Sequence, residues 1–193
     1  MRKFSLIVAT SALGLLLVGC SAPALSEDTP DAPSVSEQPS ANTNDSNGEF
    51  SFAHITSCED VKPFVATWTE GFVPYEWNNV SEDVIQCGWN TPAEEITPEN
   101  ARSIEVNFTK VSERPDYSVL ESMDSYQAIS DDWVSKHDGQ AYTMTVDIGL
   151  SAVIGTTVWV PGVEVTVSGG RWANLPELDG TAALEVAKQV LGS

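Results

Sequence analysis

Two cysteines, Cys58 and Cys87, restrict this chain more than any other pair of residues. The only other cysteine, Cys20, ends an apolar N-terminal run and belongs to a different chemistry. An even pair left in an exported domain predicts one disulfide. Closing a loop of about 30 residues removes entropy from the unfolded chain, for a stabilisation of roughly 3–4 kcal/mol. A two-thiol metal site is the alternative, but it needs further ligands, and the only histidines are His54 and His137. Either way, the segment after Cys58 must fold beside the segment around Cys87.

Export is read from the N-terminus. Met1-Arg2-Lys3 is basic, and Phe4 to Val18 is uncharged and largely apolar. That run is shorter than the roughly 20 apolar residues of a membrane span, so residues 1–19 are expected to be a signal peptide. Leu17-Val18-Gly19-Cys20 has the form of a lipobox. The Cys20 thiol takes a diacylglyceryl group as a thioether, and small Gly19 lets the peptidase reach the bond to be cut. The expectation is a chain lipidated at Cys20, held at the cell membrane and facing the extracytoplasmic side. Two acyl chains matter here, because one anchors only marginally.

Charge narrows the partners. The chain has nine Lys and Arg against 28 Asp and Glu, a formal net charge of −19. Such a surface repels phosphate backbones and anionic headgroups, so nucleic acid is not an expected partner and the folded part should stand off the membrane. Residues 20–49 are dominated by Ser, Pro, Ala, Asn, Thr, Asp and Glu, with Leu25 and Val35 the only larger apolar side chains. They cannot bury enough surface to order themselves and are read as a disordered acidic tether, with a root-mean-square reach of about 30 Å.

Residues 50–193 are expected to form a single domain, monomeric and long enough for one sizeable core. Val61, Phe64, Val65 and Trp68 fall on one helical face, with Pro63 in the first turn and Asp60 as the expected cap. Val84 to Trp89 reads as a strand, so a Cys58–Cys87 bridge would pin the helix start to it. Ser103 to Val111 alternates, with Ile104, Val106, Phe108 and Lys110 on one side. Pro115 with Tyr117, Leu120, Met123 and Ala128 predicts a second helix. Gln140 to Asp147 returns to period two, with Tyr142, Met144 and Val146 on one face. Thr156 to Val160 and Val163 to Ser168 flank Pro161-Gly162, which suits the centre of a type II turn. Asp179 or Thr181 would cap a last helix bearing Ala183, Leu184, Ala187, Val190 and Leu191. This order predicts an α+β fold: a largely antiparallel sheet of about five strands with helices packed on one face.

The lipobox, the acidic Ser/Pro tether, Cys58 opening a helix, and Cys87-Gly88-Trp89 on a strand together resemble a group of small actinobacterial envelope lipoproteins. That resemblance covers most of the mature chain and implies an envelope location; it assigns no chemistry.

Motifs for chemistry are scarce. The chain has no Gly-x-Ser-x-Gly elbow, phosphate-binding loop, dinucleotide fingerprint or His-Glu-x-x-His. No cofactor is implied. Asp131, Asp132 and Asp138 are the nearest approach to a calcium set, and Ser135-Lys136-His137-Asp138-Gly139 predicts a turn at His137. Aromatic residues are the stronger lead: Trp68, Phe72, Tyr75 and Trp77 put four rings in ten residues, interrupted by Gly71 and Pro74. They either pack as a lid on the core or offer a stacking surface to a sugar, peptide or protein. The leading expectation is therefore a non-enzymatic module that binds a glycan, peptide or protein of the envelope. A hydrolase acting on cell-wall material and a structural or inhibitory interaction module are the alternatives.

Overall fold

A computed structural model describes residues 50–97, 99–149, 151–172 and 176–192. The expected signal peptide, the expected tether and the expected lipid acceptor, Cys20, lie outside the described residues. In chain order the domain runs α1 (Cys58–Val61), a 3₁₀ turn (Lys62–Val65), α2 (Ala66–Thr69), β1 (Val73–Pro74), β2 (Asn79–Val80) and β3 (Val84–Asn90). A second 3₁₀ turn (Ala93–Glu95), β4 (Ser103–Val111), α3 (Ser118–Glu121), β5 (Tyr126–Ala128) and α4 (Asp132–Lys136) follow. The chain then makes β6 (Gln140–Asp147), β7 (Ala152–Val160), β8 (Gly162–Arg171) and α5 (Gly180–Val190).

These strands form one antiparallel sheet of eight, ordered β1-β3-β4-β8-β7-β6-β5, with β2 also paired to β3. The expected α+β sheet of about five strands with helices packed on one face is thereby overturned. The domain is mostly sheet, and among the described residues only α5 exceeds five residues of helix. Two causes explain the difference. Strands β1, β2 and β5 span two or three residues each, too few to carry a period. And the helix expected from Pro115 to Ala128 does not form: Leu120 lies in the single turn of α3, while Ala128 pairs with Tyr142 in the sheet.

Where alternation is long, pattern and fold agree. Ile104, Val106 and Phe108 of β4 are fully buried and pair with Trp89, Cys87 and Ile85 of β3. On the other side Val106 and Phe108 face Val167 and Val165 of β8. Burying Val163, Val165 and Val167 contributes about 5–9 kcal/mol before chain entropy is charged, more than the disulfide alone. The β7–β8 hairpin turns at Pro161 and Gly162, with Val160 paired to Val163. Gly162 has φ +97°, the left-handed conformation a type II turn requires at its second central residue.

The core face is completed by Val61, Val65 and the apolar side of α5, where Ala183, Leu184, Ala187, Val190 and Leu191 are all buried. The Asp179 carboxylate accepts the Ala182 N–H at 2.8 Å and caps α5. At α1 the cap is Ser57 rather than Asp60. Asp60 sits one turn in and reaches back to accept the N–H groups of Thr56 and Ser57, each at 2.9 Å. Those bonds hold its carboxyl below the usual carboxylate range. Beside them, Cys58 and Cys87 form a disulfide with a Cα–Cα distance of 5.3 Å, joining α1 to the middle of β3.

Both edges of the sheet end in strands of only two or three residues, short edges that offer little template to another chain. Along β3, β1 meets Trp89 and Asn90, and β2 meets Ile85 and Gln86. Between them the Tyr75 N–H donates to the Gly88 carbonyl at 2.9 Å. The Asn78 carboxamide accepts the Gly88 N–H at 2.8 Å and donates to its carbonyl at 3.2 Å. At the far edge β5 covers β6. In β6, Tyr142, Met144 and Val146 share a face as expected, and it is the face away from the core, with Val146 53% exposed.

Candidate ligand-binding site

That second face of the sheet carries the most distinctive side-chain arrangement. Gly71, at φ +77°, turns the chain after α2, and the 75–78 segment is then clamped over Gly88 by the bonds just described. The Tyr75 ring lies against Gly88 so closely that a Cβ there would fall 2.1 Å from Tyr75 Cδ2. Glycine is thus required for the ring to sit down. Trp77 stacks on Tyr75, with centroids 4.4 Å apart and planes 28° apart. Trp77 remains 55% exposed.

Cross-strand register brings chemistry to this stack. Gly88 pairs with Glu105, Glu105 with Ser168, and Ser168 with Gly155. The Tyr75 hydroxyl donates to Glu105 Oε1 at 3.2 Å. Partial burial, reinforced by the negative Glu105, pushes the phenol above its ordinary range. Tyr75 therefore remains a donor and holds Glu105 in place.

Glu105 also lines an open cleft of about 480 Å³, within the size range of small-molecule sites. Ser103 and Ser168 share its polar floor, and Arg102, Val153 and Trp172 stand around it. Beside Ser168 in the register, Gly155 leaves the open face of the sheet low, since the nearest atom to a Cβ built there is Ser168 Oγ at 3.8 Å. Of the four aromatic residues singled out from sequence, only Tyr75 and Trp77 make this stack. Trp68 donates its indole N–H to the Glu177 carbonyl at 3.2 Å and packs against the core. Phe72 also packs on the core, under the Arg102 guanidinium at 5.2 Å.

Sequence reasoning missed Glu105, Ser103, Ser168 and Trp172. Glu105 was legible as an outward residue of an alternating strand, but its partners depend on register across three strands. The other candidates are occupied elsewhere. His137 Nδ1 lies 2.8 Å from the Trp133 carbonyl, and its ring packs against Phe50 and Trp133 at 5.1 and 4.6 Å. Asp131 caps α4 through the Val134 N–H at 3.0 Å and pairs with Lys188 at 3.4 Å. The Val134 bond first, and then Lys188, lower its pKa. Among the described residues no group of three His, Cys, Asp or Glu is placed to hold a metal ion. Compared with known proteins, the chain matches no family profile, no curated relative and no solved structure.

Proposed function

We propose that this chain is an envelope lipoprotein, lipidated at Cys20 and displayed on the extracytoplasmic side of the cell membrane, whose domain binds an envelope ligand without transforming it. The Tyr75–Trp77 stack beside the Glu105 cleft is the binding surface. The observation that carries this reading is Trp77, 55% exposed yet held in one orientation by Tyr75 and Gly88. An aromatic ring fixed before the ligand arrives loses little side-chain entropy on binding, and Trp and Tyr are enriched where binding energy concentrates. Binding is favoured over hydrolysis because Glu105 is the only carboxylate among the described residues lining the cleft. Glycoside hydrolysis ordinarily uses a pair.

The test is capture of isolated cell-envelope material by the full-length chain purified in detergent. Tyr75→Ala and Trp77→Ala should each reduce capture at least tenfold while leaving the melting transition of the domain in place. Undiminished capture by both folded variants would refute the assignment. Exposed Ile148 and Val153 at the cleft support a second reading, in which the occupant is a protein with an apolar patch.

A further inference from the structure

We infer that the ligand of this site is a neutral glycan lying across the open face of the sheet between two aromatic walls. The inference rests on the binding reading above and names its ligand class. The first wall is Tyr75 and Trp77, over β3. The second rises from β5 and β6: Tyr117 and Tyr142 pack edge to face with centroids 4.7 Å apart, and Tyr126 stacks on Tyr142 at 5.2 Å. Each wall is tied to the floor in the same way. Tyr75 donates to Glu105 at 3.2 Å, and Tyr117 donates to Glu164 at 2.5 Å.

The floor between the walls decides the ligand class. Register places Gln86, Asn107 and Thr166 in one row of the open face, with Glu105 and Ser168 in the next. All are half-buried or exposed. Amide and hydroxyl side chains both donate and accept, as sugar hydroxyls require, while the apolar faces of sugar rings pack on aromatic side chains. At about 4.8 Å per strand, Gly88 on β3 and Gly155 on β7, three strands on along one row, stand roughly 14 Å apart, room for rings lying flat. Competing classes fit less well. A polyanion meets two glutamates on a chain of net charge −19. An apolar segment finds no large aliphatic side chain in the Gln86–Asn107–Thr166 row. An added strand finds only the two- and three-residue edges of β1, β2 and β5 to pair with.

The experiment titrates the full-length chain in detergent with peptide-free wall glycan strands and with short neutral oligosaccharides of hexose and N-acetylhexosamine, following tryptophan fluorescence and calorimetric heat. The expected result is saturable binding that Trp77→Ala and Asn107→Ala each weaken at least tenfold with unchanged melting. Gln86→Ala serves as a second floor variant should Asn107→Ala fail to fold. Glycan binding indifferent to all three folded variants overturns the location. No glycan response, together with Trp77-dependent capture of an envelope peptide or protein, overturns the glycan and leaves the binding site standing. Absence of both responses overturns both.

Discussion

At the scale of residues, Gly88 and Asn78 explain why the aromatic segment stands where it does. A run containing Tyr75 and Trp77 is visible in the sequence; the absence of a side chain opposite it is not. Gly88 reads simply as a strand residue next to Cys87, and Asn78 as a loop residue. Together they substitute for strand pairing at the one stretch of the β3 edge that β1 and β2 leave free. Trp68 and Phe72 show the opposite limit, since composition groups them with Tyr75 and Trp77 while the fold spends them on core packing. Gly88→Ala is the decisive substitution. Its Cβ would overlap the Tyr75 ring, and an overpacked site of this kind costs about 1–3 kcal/mol. Tyr75 must lift, and Trp77 then loses its support. Chemical denaturation should show the lost stability, and the near-ultraviolet circular dichroism of the stacked rings should weaken. A variant with wild-type stability and an unchanged spectrum would show that the ring contact does not organise this segment.

At the scale of elements, legibility tracks length and period. β4 and β6 have the bounds read from their alternation; in β4 a buried face sorts every second residue from Ile104 to Phe108, whereas in β6 the apolar alternation of Tyr142, Met144 and Val146 lies on the face away from the core. Short β1, β2 and β5 have no period to read, and they form only because β3 and β6 offer unpaired backbone. The stripe from Tyr117 to Ala128 looks helical because apolar spacing is satisfied by chance across three separate elements. Tyr117 precedes α3 and bonds Glu164, whereas Tyr126 and Ala128 face β6. The cysteine pair was informative for another reason: covalent geometry requires only proximity, and the helix–strand contact it implied is present as α1 against β3. The region around α1 otherwise consists of single turns, α1, a 3₁₀ turn and α2, each too short to be stable alone. Reducing the bridge, or replacing both cysteines by serine, should therefore lower stability by about 2–5 kcal/mol. Amide exchange should accelerate first in residues 58–69, before the β4–β8–β7 centre of the sheet. Uniform acceleration across the sheet would mean that the bridge stabilises the whole domain through the unfolded state and does not specifically hold the helical turns.

At the scale of the molecule, three properties must be reconciled: an acidic chain, a binding face on the sheet, and the proposed attachment at Cys20. Residues 50–193 hold 22 Asp and Glu against seven Lys and Arg, an acidic surface with no affinity for an anionic bilayer, and electrostatics instead push the domain outward until screened within roughly 8 Å at physiological salt. Under the proposed attachment, the lipid on Cys20 would supply the whole of the membrane affinity. Two acyl chains can do so, whereas one would leave the protein in exchange with solution. In the proposed arrangement the acidic segment 20–49 would act as a tether with a reach of about 30 Å, keeping the anchor in the bilayer while the open face of the sheet samples the space beyond it. This division predicts a sharp result for Cys20→Ala. The wild-type chain should partition with membranes, incorporate labelled palmitate and carry a diacylglyceryl mass increment on an N-terminal Cys20. The variant should lose the label and fail to be cut before residue 20. Once separated from its apolar leader, its domain should not sediment with anionic vesicles even at low salt, where surface electrostatics are strongest. Palmitate-free wild-type protein would remove the anchor. Vesicle binding by the unlipidated domain would instead place a membrane-binding surface on the sheet domain itself, and the tether would no longer be needed to explain where the ligand is met.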